Sequence, residues 1–188
     1  MSRLVVVSAG TYHLPFDRLS IWMEEWLRDA VDTRVVMQHG PSRPVAGAEN
    51  VEILPYAELL ALCRSADAVV LQGGAGGVMD MRELGIVPIV VPRVPGGGEV
   101  VDDHQLVFTA EMEKFGILRR ALTREQLAQQ LQDTFAGVGV DLPQEIATPG
   151  AEVVRALLEQ PVARLPWYER PRRLVRTGGA LARAVLRR

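Results

Sequence analysis

Apolar and polar positions alternate on two scales along this chain. Short β-branched runs at Leu4–Val7, Arg34–Met37, Val51–Leu54, Ala68–Leu71 and Val87–Val91 are separated by stretches with apolar residues at helical spacing, 16–31, 56–65 and 77–84. The runs VVV, AVVL and PIVV lack the period-two alternation of a half-exposed strand, which is the mark of strands covered by helices on both faces. An α/β fold with a doubly wound parallel sheet is therefore predicted. In 16–31, Leu19, Met23, Trp26, Leu27 and Ala30 share one face, which packing alone explains. Further helices are predicted at 103–115 and 124–135, the second behind Thr123, with Gln126 at capping-box spacing. Five prolines, from Pro143 to Pro171, place the end of the sheet near residue 140, followed by one helix at about 150–159. The expected organisation is a domain at 1–160 and an appendage at 161–188.

A chain of 188 residues fits one domain. The single cysteine, Cys63, lies among Leu59, Leu60 and Leu62, where a buried thiol is expected; with no partner for a disulfide, it points to a reducing, cytoplasmic setting. The start MSRLVVVSAG reads as a first strand rather than a leader, and no run reaches the roughly 18–20 apolar residues of a membrane span. The net charge of -2 hides an asymmetry. Eight arginines stand against Glu169 alone in the last 25 residues, so residues 1–163 are strongly acidic and have no general attraction for nucleic acid or anionic lipid. In the tail, Leu174, Leu181, Val185 and Leu186 interleave with arginines, as in an interfacial helix or in a helix docked on its own domain.

The candidate chemistry begins at Gln72-Gly73-Gly74-Ala75-Gly76-Gly77, after an apolar strand and before a helical stretch. Glycines let a diphosphate approach the backbone, and the free N–H groups of the next helix favour its charge. A tight turn without ligand explains the cluster equally well. It is neither a dinucleotide fingerprint, which belongs in the first βα turn, nor a phosphate loop ending in Gly-Lys-Ser/Thr. Three other features follow strands: Gly10-Thr11-Tyr12-His13, Gln38-His39-Gly40 and Asp102-Asp103-His104-Gln105. In a parallel sheet all of these share one edge and should converge on one crevice. No Gly-x-Ser-x-Gly elbow and no metal-ligand spacing is found, so neither a hydrolase nor a metal centre is expected.

These motifs, together with Pro15-Phe16-Asp17-Arg18-Leu19, Met79-Asp80, and Pro88-Ile89-Val90-Val91-Pro92-Arg93, resemble the C-terminal domain of family 28 glycosyltransferases over about residues 4–118. The likeness is to the stand-alone form found in bacterial exopolysaccharide synthesis and to the catalytic subunit of dolichol-linked chitobiose synthase. It implies a Rossmann-like C-terminal half of a GT-B enzyme, inverting and metal-independent, with a UDP-sugar as donor substrate and no cofactor. The implied donor contacts are Gly10, Thr11 and the backbone from Gln72 to Gly77, with Asp80 on the ribose and His104 and Gln105 on the sugar. His13 is a candidate general base, since imidazoles titrate near neutrality. The family usually carries His at position 72 and Ser or Thr at position 77.

The resemblance further implies a membrane-anchored partner subunit that binds the lipid-linked saccharide acceptor, and so a peripheral location at the inner face of the cytoplasmic membrane. Two functions are carried forward. One is the catalytic donor-binding subunit of such a transferase. The other is a nucleotide-sugar-binding module that stabilises or regulates a partner without chemistry.

Overall fold

A computed structural model of the chain describes residues 2–139, 141–142 and 155–156. A first compact unit runs from Met1 to Ile146 and contains every element named below. Of the helix expected at about 150–159 only residues 155–156 are described, and they are helical. The boundary at 160 and the basic appendage at 161–188 lie outside the described residues.

The elements are β1 (Arg3–Ser8), α1 (Asp17–Asp29), β2 (Thr33–Gln38), β3 (Glu49–Val51), α2 (Tyr56–Ser65), β4 (Ala68–Gln72), α3 (Ala75–Glu83), β5 (Ile89–Val91), α4 (His104–Lys114), β6 (Arg119–Arg120) and α5 (Arg124–Phe135). They form one six-stranded sheet in the order β3-β2-β1-β4-β5-β6. Every pairing in it is parallel.

Alternate residues of the apolar runs serve different faces. Val5 and Val7 of β1 and Val70 of β4 pack with Phe16, Leu19 and Met23 of the α1 region and with Leu127 and Leu131 of α5. On the other face, Val6, Val69 and Leu71 meet Cys63 of α2 and Val78 and Met81 of α3. Two covered faces explain why the runs show no polar alternation. Burial pushes the Cys63 thiol up to about 11, so it remains protonated and inert.

Several boundaries differ from those expected. The third strand is Glu49–Val51 rather than Val51–Leu54. Asn50 explains the shift, because its side chain accepts from Val45 N–H and donates to Val45 and Ala48 carbonyls, fixing the chain at the sheet edge. Helix α3 begins at Ala75 instead of Gly77, and β5 loses its first two expected residues, Val87 and Pro88. Proline has no N–H for the ladder, although its carbonyl still accepts from Arg119 N–H at 3.0 Å. The two-residue β6 was not foreseen. The cap on α5 forms as expected: Thr123 Oγ1 accepts from Gln126 N–H, and Gln126 reaches back to Leu122 N–H.

Candidate functional site

The strand order reverses between β1 and β4, since the chain runs outward from β1 to β3 and then returns to β4 on the other side. At such a point the loops leaving adjacent strands part in opposite directions and open a crevice at their carboxyl ends. One of about 200 Å³ lies there. Its floor comes from the ends of the strands: Ser8, Gln38 and Gln72 close β1, β2 and β4, and Leu71 lies beside them. Gln38 is buried, with a partner at each end of its amide. Its amide nitrogen donates to Ser8 Oγ at 2.9 Å, and its oxygen accepts from Leu54 N–H at 3.0 Å.

One wall is the loop after β1. Gly10 sits there at φ 79°, a left-handed conformation that glycine adopts without steric cost, and its carbonyl oxygen would lie 2.8 Å from a Cβ on Gly40. The loops after β1 and β2 thus meet backbone to backbone. The opposite wall is the start of α3. Gly74 caps it in extended conformation and offers no side chain, so the N–H groups of Ala75, Gly76 and Gly77 have no acceptor within the helix. Only Gly73 and Gly74 form the turn, and Gly76 and Gly77 belong to the helix. Gly73 is buried beneath it, donating its N–H to Gln105 Oε1 at 3.1 Å.

The sequence model of the glycosyltransferase family 28 C-terminal domain matches residues 17–140, more than half of the chain. The chain belongs to that family. Among solved structures, the domain resembles the kitacinnamycin glycotransferase (TM-score 0.56, 20% identity) over 73% of this chain and 36% of that one. It also resembles the calicheamicin glycosyltransferase (TM-score 0.50, 14% identity) over 84% of this chain and 43% of that one. These likenesses concern the fold, which is the Rossmann-like C-terminal half of GT-B glycosyltransferases. The chain spans well under half the length of either relative. No curated protein sequence matches it.

Within this family 28 domain, the expected site residues divide into two groups. Gly10, Thr11, Gln72, Gly74, Gly77 and Asp80 line the crevice together. Asp80 stands one turn into α3 and accepts from the Tyr56 hydroxyl at 2.8 Å, a bond that raises the Tyr56 pKa. Water or a ligand hydroxyl can replace that exposed donor. Ala75 and Gly76 are exposed on the first turn of α3.

His13, His104 and Gln105 lie outside the crevice lining. His13 is exposed and meets Tyr12 at a tilt of 52°, with ring centroids 4.4 Å apart. His104 is exposed and bonded through Nδ1 to Asp102, whose carboxyl is held below its ordinary range chiefly by that contact. Gln105 is 4% exposed and works inward, its oxygen accepting from both Gly73 and Arg93 N–H. His39 also turns away, with Nδ1–H donating to the Ser42 carbonyl.

Arg93, which the sequence offered only as the last residue of a resembling motif and without a role, is the residue that ties the site together. It is fully buried, yet no carboxylate forms a hydrogen bond with it among the described residues. Its guanidinium donates instead to the carbonyls of Ala9, Leu14, Pro15 and Glu99, all within 2.8–3.2 Å, and to Gln72 Oε1 at 2.9 Å. The ring of Phe16 lies 4.7 Å from it. Desolvation pulls its pKa down, which is the cost of a buried cation held mainly by dipoles. Glu99 is spent elsewhere, in a two-point pair with Arg18 at 2.8 and 2.9 Å.

Proposed function

We propose that this chain is the donor-binding, catalytic subunit of an inverting glycosyltransferase that uses a UDP-sugar. The observation that carries this reading is the pairing, in a family 28 domain, of unspent N–H groups at the start of α3 with the Asp80 carboxylate on one crevice. The first suits a diphosphate and the second a ribose diol. An acceptor hydroxyl attacks the anomeric carbon and gives up its proton to a general base, the glycosidic C–O bond to phosphate breaks, and UDP leaves with the bonding electrons. Donors fixed beforehand at the diphosphate stabilise the charge that develops there. No metal takes part in this scheme.

Among the described residues the crevice has a floor and two walls but nothing that covers a bound donor, and in our reading the acceptor is held by a second protein. That protein is a membrane-anchored subunit presenting a lipid-linked saccharide, as in polysaccharide synthesis at the inner face of the cytoplasmic membrane. Among the described residues no helix is long and apolar enough to cross a membrane.

Gly77, which brings no hydroxyl to the crevice, supports a second reading: a nucleotide-sugar module that supports a partner transferase without chemistry. Calorimetric titration with UDP, followed by UDP-sugar turnover with and without the partner subunit, separates the possibilities. Binding, with turnover only when the partner is present, is the expected outcome. Binding without turnover in either case favours the module, and no binding overturns both.

A further inference from the structure

An amide group can face either way, but its neighbour can decide which. Arg93 carries donors only, so the atom of Gln72 that meets its Nε at 2.9 Å must be the carboxamide oxygen. The same oxygen takes a second bond, from Gln105 Nε2 at 3.3 Å. The Gln72 nitrogen is thereby forced to the opposite side. There it lies 2.3 Å from where a Cβ on Gly10 would stand and 2.9 Å from one on Gly74, between the two walls of the crevice. Among the described residues its two N–H groups have no acceptor. Arg93 in turn cannot swing away, being buried and tied to four carbonyls.

We propose that Arg93 is a positioning residue for donor binding: it fixes the Gln72 carboxamide so that both N–H groups point into the crevice and bind the diphosphate of the nucleotide sugar. The inference rests on the nucleotide reading above. A buried cation hydrogen-bonded to the amide oxygen also polarises the amide, making its N–H groups stronger donors towards an anion. The positive charge thus acts on the phosphates at one remove, through a neutral group. This gives position 72 a cationic character although no ionisable side chain stands there.

The discriminating variant is Gln72→Glu. It keeps an oxygen for Arg93, and indeed offers it a full salt bridge, but it removes both crevice-facing donors and puts a carboxylate in their place. If Gln72 served only to satisfy Arg93, any loss would be plain repulsion by the new carboxylate and would not depend on which residue stands at 93. We expect that UDP and pyrophosphate affinities fall at least about tenfold, the weight of one hydrogen bond to a charged group, while uridine affinity and the melting temperature hold. Arg93→Lys completes a double-mutant cycle. It should weaken UDP binding when residue 72 is Gln and change it little when residue 72 is Glu. Unchanged UDP affinity in Gln72→Glu, or strictly additive losses in the cycle, overturns the inference while leaving the nucleotide site standing. Failure of the unaltered protein to bind UDP, pyrophosphate or uridine overturns the nucleotide reading and this inference with it.

Discussion

At the amino ends of the strands a hollow of about 620 Å³ is walled by Arg3, Trp26, Thr33, Arg124 and Phe135, whereas the crevice at the carboxyl ends holds about 200 Å³. The larger hollow has its cations in use. Arg124 pairs with Glu25 at 2.8 Å and Glu125 at 2.9 Å, and Arg3 lies over the Phe135 ring at 4.5 Å. In the smaller one glycines stand on both walls, the α3 N–H groups are unspent, and the buried Arg93 behind the wall donates to Gln72. Under the proposed function, volume is therefore a poor guide to where this domain binds. Unpaired donors and bare backbone are the better one.

The difference can be broken most forcefully at Arg93. Arg93→Ala strands four carbonyls and leaves the Gln72 oxygen with Gln105 alone, and should cost about 3–5 kcal/mol in urea unfolding, since each buried acceptor left unpaired costs about 1–3 kcal/mol. At the opposite end, Arg124→Ala should leave both the unfolding curve and UDP affinity unchanged, because its exposed ion pairs are replaced by water. Equal losses at the two ends would erase the contrast.

Asp80→Ala should weaken UDP binding by about 1.5–3 kcal/mol in calorimetry, with Asp80→Asn milder, since an acceptor oxygen remains. The unfolding midpoint should not move, because the lost partner is the exposed Tyr56 hydroxyl. Unchanged affinity would remove Asp80 from the site. Gly10→Ala should cost about 1–2 kcal/mol of stability for its left-handed φ, and should also lower UDP affinity by pushing the Gln72 nitrogen aside. The smallest effect is expected at Gly77. A Cβ there meets Leu71 at an ordinary 3.6 Å, so Gly77→Ala should stabilise α3 by about 0.5–1 kcal/mol. Gly77→Thr additionally brings a hydroxyl to the crevice and should raise UDP affinity; a fall would show that the site is built around the bare position.

The sheet was legible because burial on both faces leaves unbroken β-branched runs, and the glycine turn was legible because a backbone approach excludes side chains. Edges were harder to read. β3 follows a side-chain tie from Asn50, and β6 is two arginines whose chemistry says nothing of a strand. Within the site, the same-edge argument gathered Gly10, Thr11 and Gln72, while Asp80 came from the family resemblance. It could not tell that Gln105 faces inward, since a residue at the start of a helix can turn to either side. One signal stood in the sequence unused: VVVS, VVMQ and AVVLQ each end an apolar strand on a polar side chain. Those are the residues of the crevice floor. Arg93 gave no such sign, because its role depends on loops more than 70 residues distant in sequence.

The shallowness of the crevice sets a time as well as a place. Pockets that enclose small ligands hold roughly 300–1,000 Å³, so about 200 Å³ would seat the proposed nucleotide sugar between two walls and leave its outer side wet. A ligand bound in this way comes and goes quickly. Under the proposed function, whatever surface closes over it acts as a latch: while shut it holds the donor long enough to react, and once open it lets the spent diphosphate diffuse away. Turnover in such an arrangement is paced by the meeting and parting of two surfaces, and the grip of this domain need only be strong enough to keep the donor aligned in between.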